Sequence, residues 1–376
     1  MIRQRPELKL GSAPKQTNRK WVALSMLAGF TVLALYLYSF AGLGEVAKEI
    51  MGINLNYYIL GFVAVVMSVF CLSLAWNNLL SGLQLRISPW RTFLFAWVGL
   101  FIDEIIPGGI SGDFFKAYLI SRDTGLDTGK IVASVVVQKL FGVVIVMVNL
   151  IAGLTLLTLN YGLQIDFLIL SVVVISLLIA LFVALVYFSV KPKATERAVG
   201  GIARLISLVR RKTWDKNHFQ ESARKTLGPF HEGIQSLRKN PKVLVKAAIF
   251  SALASVCDIT LVVLVFRALS FPLPLDKALI VYALTISLQT SGVAVIGFTE
   301  VLMSTLYIAL GVSIELSVAA TLLIRFASLW FKLAIAFVGF QSVVLNRCVD
   351  SVCNRASRWS RSKSCPEPPG KRERNS

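Results

Sequence analysis

Residues 103–113 read DEIIPGGISGD and close an apolar stretch with acids, a proline and three glycines. Residues 291–300, far along the chain, read SGVAVIGFTE and again combine glycines with an acid. A backbone opened by proline and glycine in a bilayer must be satisfied by protein or by water in a cavity, since hydrocarbon offers no hydrogen bonds. Carboxylates at such depth mark a pathway or a binding site. Two broken segments in two halves of a chain therefore point to a transport site.

The composition around these segments is that of a membrane protein. Of the 376 residues, 56% are hydrophobic, and the mean hydropathy of +0.71 exceeds that of water-soluble domains. The pattern predicts an all-α polytopic membrane protein, because several apolar stretches are long enough to cross about 30 Å of hydrocarbon. About six full transmembrane helices are predicted, at 21–40, 56–77, 131–159, 167–190, 243–267 and 316–344.

The two broken segments are predicted as re-entrant helical hairpins rather than full spans. The chain from 90 to 106 is apolar, but the segment 114–120 after the break is too short to cross alone. The segment 277–310 reads in the same way, as a helix, a glycine-rich turn and a second helix. Basic flanks place the first hairpin on the cytoplasmic side, and acidic flanks place the second on the opposite side. The two hairpins bring the total to about eight hydrophobic segments.

The net charge of +19 follows topology and does not indicate a nucleic-acid partner. Basic residues concentrate in 1–20, in an insert at 191–242 and in the tail, and such segments stay in the cytoplasm. We therefore expect a protein of the cytoplasmic membrane with both termini inside. The predicted domains are a basic N-terminus (1–20), a transmembrane domain (21–345, including the insert) and a disordered basic tail (346–376). Within the insert, residues 202–209 favour a basic amphipathic helix, either on a leaflet or on the protein surface.

The two broken segments carry the same spacing of charges, which predicts an inverted repeat. In each, an acid follows the break, a glycine comes 11 or 12 residues later, and a base comes 14 residues after that. The positions are Asp113, Gly125 and Lys139 in the first half and Glu300, Gly311 and Arg325 in the second. Repeats inserted in opposite orientations support alternating access in transporters.

The bases of this repeat predict ion pairs inside the membrane, Asp113 with Lys139 and Glu300 with Arg325. An unpaired Lys or Arg near the bilayer centre costs about 2.5–3.5 kcal/mol, so each needs a partner or a wet cavity. Two interpretations stay open at this point. The pairs fix each hairpin against its long helix, or the two cations draw an anionic headgroup into a polar cavity.

The candidate site follows from the second interpretation. The predicted headgroup route consists of Asp113, Lys116, Lys139, Glu300 and Arg325. The predicted hairpin turns, whose N–H groups are suited to phosphate oxygens, use Pro107, Gly108, Gly109, Gly112, Gly292 and Gly297. For Asp258, in the span 243–267, the sequence favours a role in helix packing over titration.

The chain carries no enzyme signature. It has no P-loop and no dinucleotide-binding motif. The only histidines, His218 and His231, lie in the insert. The sequence thus predicts no catalytic residue, no metal, no cofactor and no ATP-driven step. The scattered cysteines predict no disulfide.

Two blocks of sequence resemble a known family. Residues 105–140, IIPGGISGDFFKAYLISRDTGLDTGKIVASVVVQKL, and 291–326, SGVAVIGFTEVLMSTLYIALGVSIELSVAATLLIRF, resemble the lysylphosphatidylglycerol synthase transmembrane region, a flippase-like family. The resemblance covers roughly residues 20–345. Its pattern picks out Pro107, Gly109, Gly112, Asp113, Lys139, Gly297, Glu300, Gly311 and Arg325. Where the family often has Glu-Arg and Pro-Gly-Gly, this chain has Gln138-Lys139 and Ser291-Gly292-Val293.

The resemblance implies a stand-alone translocase-like protein without the aminoacyl-transferase domain of the synthases. The predicted function is lipid flippase-like transport of a polar or anionic headgroup between leaflets. Phospholipid, aminoacyl-phospholipid, glycolipid and isoprenoid-linked cargo all fit. The alternatives are an intramembrane lipid-modifying enzyme that uses Asp103, Glu104 and Asp113, and a scaffold in lipid or cell-envelope glycolipid biosynthesis. The expected partners are membrane lipids, anionic ones first, and the pattern is compatible with a partner enzyme and with a homo-oligomer.

Overall fold

A computed structural model of the chain describes residues 43–105, 111–162, 165–209, 216–290 and 297–342. Within these ranges the chain is helical apart from short turns, and no strand occurs. The helices are α1 (Leu43–Met51), α2 (Leu55–Gly82), α3 (Pro89–Ile105), α4 (Ser111–Thr124), α5 (Thr128–Tyr161), α6 (Ile165–Val190), α7 (Pro192–Val209), α8 (Lys216–Arg238), α9 (Pro241–Ala268), α10 (Leu275–Thr290), α11 (Phe298–Ala309) and α12 (Ile314–Arg325).

Five helical stretches of the described residues are long and apolar enough to cross a membrane. They are α2, α5, α6, α9 and the stretch Ile314–Ser342, which contains α12 and a π-helical turn at Phe326–Phe331. These stretches confirm a polytopic helical membrane protein, and each lies where the sequence predicted a span. The other predicted span, 21–40, lies outside the described residues.

The ends of α2 and α9 follow local chemistry that the sequence encodes. The Asn54 side chain accepts a hydrogen bond from the Asn56 N–H (3.1 Å) and caps α2, whereas α9 begins with Pro241. Two positions after the last residue of each helix, the backbone adopts a left-handed conformation, at Gln84 (φ 63°) and at Ser270 (φ 57°). In both, the next N–H donates to a carbonyl five residues back, as in a Schellman cap. The two helices therefore stop in the same way.

This likeness extends over four helices in each half of the molecule. The offset between Leu55 and Pro241, the first residues of α2 and α9, is 186 positions. The same offset separates Thr128 from Ile314, where α5 and α12 begin. The unit α2–α5 therefore repeats as α9–α12, which is more than the two sequence blocks had indicated.

The two halves meet where α2 packs along α9. The thiols of Cys71 and Cys257, which are also 186 positions apart, lie close enough to interact with each other at this contact. Residues at equivalent positions touch each other only near an axis that relates the two copies. Both cysteines are free thiols. The α2–α9 contact is thus the centre of the internal repeat.

Each half also contains a pair of short helices where the sequence predicted a hairpin. In the first half these are α3 and α4, with 17 and 14 residues, and in the second α10 and α11, with 16 and 12. The α3 and α4 backbones cross so closely that a Cβ on Gly112 would overlap the Gly99 carbonyl. Glycine is required at this crossing. The turns at 106–110 and 291–296, with Pro107, Gly108, Gly109 and Gly292, lie outside the described residues.

The described residues of the insert between the halves form the helices α7 and α8, and α8 packs against α5. Glu232 on α8 pairs with Lys130 at the start of α5 (2.9 Å). Gly233 lies so close to α5 that an added Cβ would be 2.9 Å from Ala133 Cβ. The side chains of 202–209, for which the sequence left two interpretations open, lie outside the described set.

Candidate functional site

The charged residues of the repeat occupy matching places on matching helices. Asp113 is the third residue of α4, and Glu300 is the third residue of α11. Lys139 and Arg325 each lie eleven positions after the first residue of their helices, about 16 Å along the axis at 1.5 Å per residue. Each half thereby brings an acid near a helix start to a base deep within a long helix.

In the first half, Asp113 forms two ion pairs. Its Oδ1 lies 2.6 Å from Lys116 Nζ, and its Oδ2 lies 2.8 Å from Lys139 Nζ. Asp113 and Lys116 are buried, whereas the Lys139 side chain is 47% exposed. The Lys116 ammonium also lies 4.6 Å above the Trp76 ring. The predicted pair of Asp113 with Lys139 is therefore confirmed, and Lys116 extends it.

A second carboxylate, Asp103, holds the start of α4 in place. Its Oδ1 accepts hydrogen bonds from the Gly112 N–H (2.7 Å) and from the Ser111 hydroxyl (3.3 Å). Side-chain oxygens at this position satisfy N–H groups that have no partner within the helix. Asp103 is thus engaged in positioning the helix that carries Asp113.

In the second half, one carboxylate performs both of these roles. Glu300 Oε1 accepts from Arg325 Nε at 2.7 Å, which confirms the second predicted pair. Its Oε2 accepts from the Gly297 N–H at 2.6 Å, where the backbone turns through φ 97°. The Arg325 side chain is 13% exposed and that of Glu300 is 5% exposed. This pair is buried and fixes α11 against α12.

The last span departs from α-helical geometry directly after Arg325. The π-helical turn at Phe326–Phe331 follows, and the Tyr58 hydroxyl on α2 donates to the Leu323 carbonyl (3.1 Å) just before it. Such turns are rare in helices and are frequent at functional sites. The hydroxyl of Tyr58 thus links the centre of the molecule to the helix that carries Arg325.

Glu104 follows Asp103 on α3 and is exposed. Asp103 interacts with the first charged group, as described, while Glu104 lies within electrostatic range of Arg325 and Lys332 in the second half. The described His, Cys, Asp and Glu residues include no group of three that could hold a metal ion.

A cavity of about 230 Å³ lies beside the first ion pair, between α2, α4, α5, α9 and α10. Its charged wall carries Asp113, Lys116 and Lys139, and Gly142 leaves open space one turn beyond Lys139. The other polar residues that line it are Ser68, Gln138, Ser251, Ser255, Asp258 and Tyr282. Valine, leucine and isoleucine supply most of the remaining wall.

The structure brings together only part of the predicted headgroup route. Asp113, Lys116 and Lys139 line one cavity, while Glu300 and Arg325 are not among the residues that line it. Of the predicted turn glycines, Gly112 and Gly297 lie at the starts of α4 and α11.

The sequence interpretation favoured packing over titration for Asp258 and did not predict that this residue lines a cavity. Asp258 lines the cavity and accepts a hydrogen bond from the Tyr282 hydroxyl (3.3 Å). The available signal was a lone acid in an otherwise apolar span.

The fold and the charged cavity define a polytopic helical membrane protein built from an internal repeat. Residues 22–336 match the family described as the lysylphosphatidylglycerol synthase TM region, so the chain belongs to that family. A UPF0104 membrane protein of Pyrococcus horikoshii is 25% identical over 314 residues, which cover 82% of this chain and 92% of the relative. A UPF0104 membrane protein of Methanocaldococcus jannaschii is 23% identical over 339 residues, 88% of this chain and 96% of the relative. The resemblance read from the sequence is confirmed.

Proposed function

We propose that this protein is a lipid flippase-like transporter that moves a polar or anionic lipid headgroup between leaflets. The observation that carries the proposal is the cavity beside Asp113, Lys116 and Lys139, which places two cations at membrane depth in a largely apolar wall. Its volume of about 230 Å³ lies below the roughly 300–1,000 Å³ of pockets for drug-sized ligands. Such a cavity suits a small headgroup whose acyl chains remain in the bilayer.

Lys139 is the cation best placed to bind the headgroup. Asp113 is held on one oxygen by Lys116, so it keeps a partner when Lys139 turns towards a phosphate. The Lys139 side chain is also 47% exposed, although it lies about 16 Å into its helix. An ammonium and a phosphate oxygen form a charge-assisted hydrogen bond, one of the stronger polar contacts in proteins. A headgroup can therefore replace Asp113 at Lys139 without leaving the carboxylate unpaired.

The internal repeat supports alternating access as the transport mechanism. In the proposal, α3–α4 and α10–α11 are re-entrant hairpins from opposite membrane faces, and the two halves rock about the α2–α9 contact. The helix lengths support this arrangement, since 17 residues span about 26 Å and 12 residues about 18 Å, less than the roughly 30 Å of hydrocarbon. In the proposal, Glu300 and Arg325 line the route in the opposite conformation, in the way that Asp113 and Lys139 line the cavity in this one.

The proposed location is the cytoplasmic membrane, with both termini and the insert inside. The basic segments 1–20 and 191–242 support this orientation through the positive-inside rule. Anionic lipids are the proposed partners, because basic juxtamembrane segments attract an anionic leaflet.

The test is translocation in proteoliposomes that contain acyl-labelled phosphatidylglycerol, whose headgroup is unmodified. A membrane-impermeant quencher reports the fraction of label in the outer leaflet. Lys139→Gln should slow translocation at least tenfold, since a hydrogen bond to a charged group contributes about 1.5–3 kcal/mol and each 1.4 kcal/mol is tenfold. Gly142→Leu should slow it as well, because Gly142 lines the cavity and a Cβ added there has no atom within 4 Å, so the new side chain enters the space of the headgroup.

The matched control is Lys246→Gln, which removes an exposed lysine of α9. This variant should translocate the lipid at the wild-type rate. Gel filtration of each variant confirms that it is folded. Wild-type rates in both Lys139→Gln and Gly142→Leu would refute the proposed route, and absence of translocation by the wild-type protein would refute the function.

A further inference from the structure

Asp258 is a carboxylate in the cavity that the transport scheme above does not use. It is the eighteenth residue of the 28-residue span α9, about 15 Å from the end of the helix at Ala268. The Tyr282 hydroxyl of α10 donates to its Oδ2 at 3.3 Å. Among the described residues, no Lys or Arg forms an ion pair with it, in contrast to Asp113, which lines the same cavity. A carboxylate at this depth without a cationic partner is costly when ionised, and a proton removes that cost.

The internal repeat indicates that packing does not require an acid at this position. The residue 186 positions earlier is Leu72 on α2, which lines the same cavity. A leucine and an aspartate thus occupy equivalent places on the two helices that meet at the centre. Because the scaffold accepts an apolar residue there, the carboxylate of Asp258 calls for an explanation other than the fold.

The charges around the cavity supply that explanation. With Asp258 ionised, two carboxylates and two ammonium groups line the cavity, and their net charge is zero. Entry of a phosphodiester would leave a net charge of −1 in a medium of low dielectric constant, where uncompensated charge is expensive. With Asp258 protonated, the lining has a net charge of +1, which the phosphodiester neutralises. Binding of the proton and of the anion therefore favour each other.

The other groups that face Asp258 do not change this balance. Asp103 adds a negative charge behind Asp113, where the N–H groups at the start of α4 compensate it. Helices α8 and α12, which also pack against α9, contribute no residue to the cavity. The titratable groups near Asp258 are the thiols of Cys71 and Cys257 and the phenol of Tyr282, and Lys139, Asp113 and Lys116 line the same cavity.

We infer that Asp258 is the proton-binding residue of a proton-coupled lipid transporter, an inference that rests on the proposed function. The carboxylate takes up one proton when an anionic headgroup enters the cavity, and it releases that proton when the headgroup leaves on the other side. No other bond forms or breaks. One proton and one anionic headgroup move together, so the transport cycle carries no net charge across the membrane.

The experiment imposes either a pH gradient or a potassium diffusion potential on proteoliposomes that contain acyl-labelled phosphatidylglycerol. For the wild-type protein, external acid should drive label inward, by about tenfold in the leaflet ratio per pH unit at one proton per lipid. The diffusion potential should leave the ratio unchanged. In Asp258→Asn the anion crosses without a proton, so each transported lipid moves a net charge across the membrane. Such a variant should respond to the potential and not to the pH gradient.

Two further variants keep the inference testable. Asp258→Leu, which introduces the residue found at the equivalent position, should also lose the response to pH. Asp166→Asn, which removes an exposed acid at the start of α6, should keep the wild-type response. A wild-type protein that moves lipid but ignores the pH gradient contradicts the coupling and leaves the flippase function standing. A pH response that survives in both Asp258 variants contradicts it too, and a wild-type protein that moves no lipid contradicts both proposals.

Discussion

The two intramembrane ion pairs are built on the same helical unit but lie in different surroundings. Lys139, in the first half, is 47% exposed and lines a cavity, whereas Arg325, in the second, is 13% exposed and lies outside that cavity. In the first half, the acid that binds the base and the acid that caps the short helix are separate residues, Asp113 and Asp103. In the second half, Glu300 alone fulfils both roles.

Charged residues at equivalent positions of the repeat therefore have different surroundings in the two halves. The first pair can open without leaving a carboxylate alone, because Lys116 also binds Asp113. Among the described residues, Glu300 has one basic partner, Arg325. A buried charge that loses its partner is strongly destabilising. We therefore expect the first pair to matter more for transport and the second more for stability.

The largest predicted effect separates the two pairs by stability. Arg325→Gln should lower the free energy of unfolding by about 3–5 kcal/mol, because Glu300 is left buried and unpaired. Lys139→Gln should cost only about 0–1 kcal/mol, as for exposed pairs, since Asp113 keeps Lys116. Thermal unfolding in detergent measures both. The double variant Glu300→Gln/Arg325→Gln should recover part of the loss, and equal losses in the two single variants would contradict the comparison.

A smaller effect is predicted where the short helices start. Gly112→Ala should destabilise the protein by about 1–3 kcal/mol, the usual cost of overpacking, because the added methyl group overlaps the Gly99 carbonyl. The second residue of α11 is Thr299, which shows that this place in the second half has room for a side chain. Thr299→Ala should cost less than Gly112→Ala in the same unfolding assay. A larger loss of stability in Thr299→Ala than in Gly112→Ala would contradict the predicted difference in backbone packing between the two pairs of short helices.

The smallest predicted effect tests the division of roles between Asp103 and Asp113. Asp103→Ala should cost about 0.5–2 kcal/mol, the usual loss for a helix cap, while both ion pairs of Asp113 remain. The matched variant Gln289→Ala, 186 positions later, should change the free energy of unfolding by no more than about 0.5 kcal/mol, because Glu300 caps its own helix. Hydrogen exchange at the Gly112 amide provides a local reading. An unchanged exchange rate in Asp103→Ala would contradict the capping role.

Much of the fold could be predicted from local patterns. The spans follow from runs of apolar residues, and the breaks follow from proline and glycine. The spacing of Asp113, Gly125 and Lys139 against Glu300, Gly311 and Arg325 predicted both ion pairs. The wider repeat was not predicted, because α2 and α9 share their length and their C-terminal caps rather than a recognisable sequence motif.

The amino-acid sequence was enough to predict the class of protein, the five described spans and the two ion pairs of Asp113 with Lys139 and of Glu300 with Arg325. These follow from rules that act over a few residues or a single helix, such as hydrophobic length, helix capping and the cost of an unpaired charge. The packing of the helices was needed to show which ion pair lines a cavity and that Asp258 lines the same cavity as Lys139. Access and cavity lining depend on how five helices from both halves pack together, and no local pattern of residues records that arrangement.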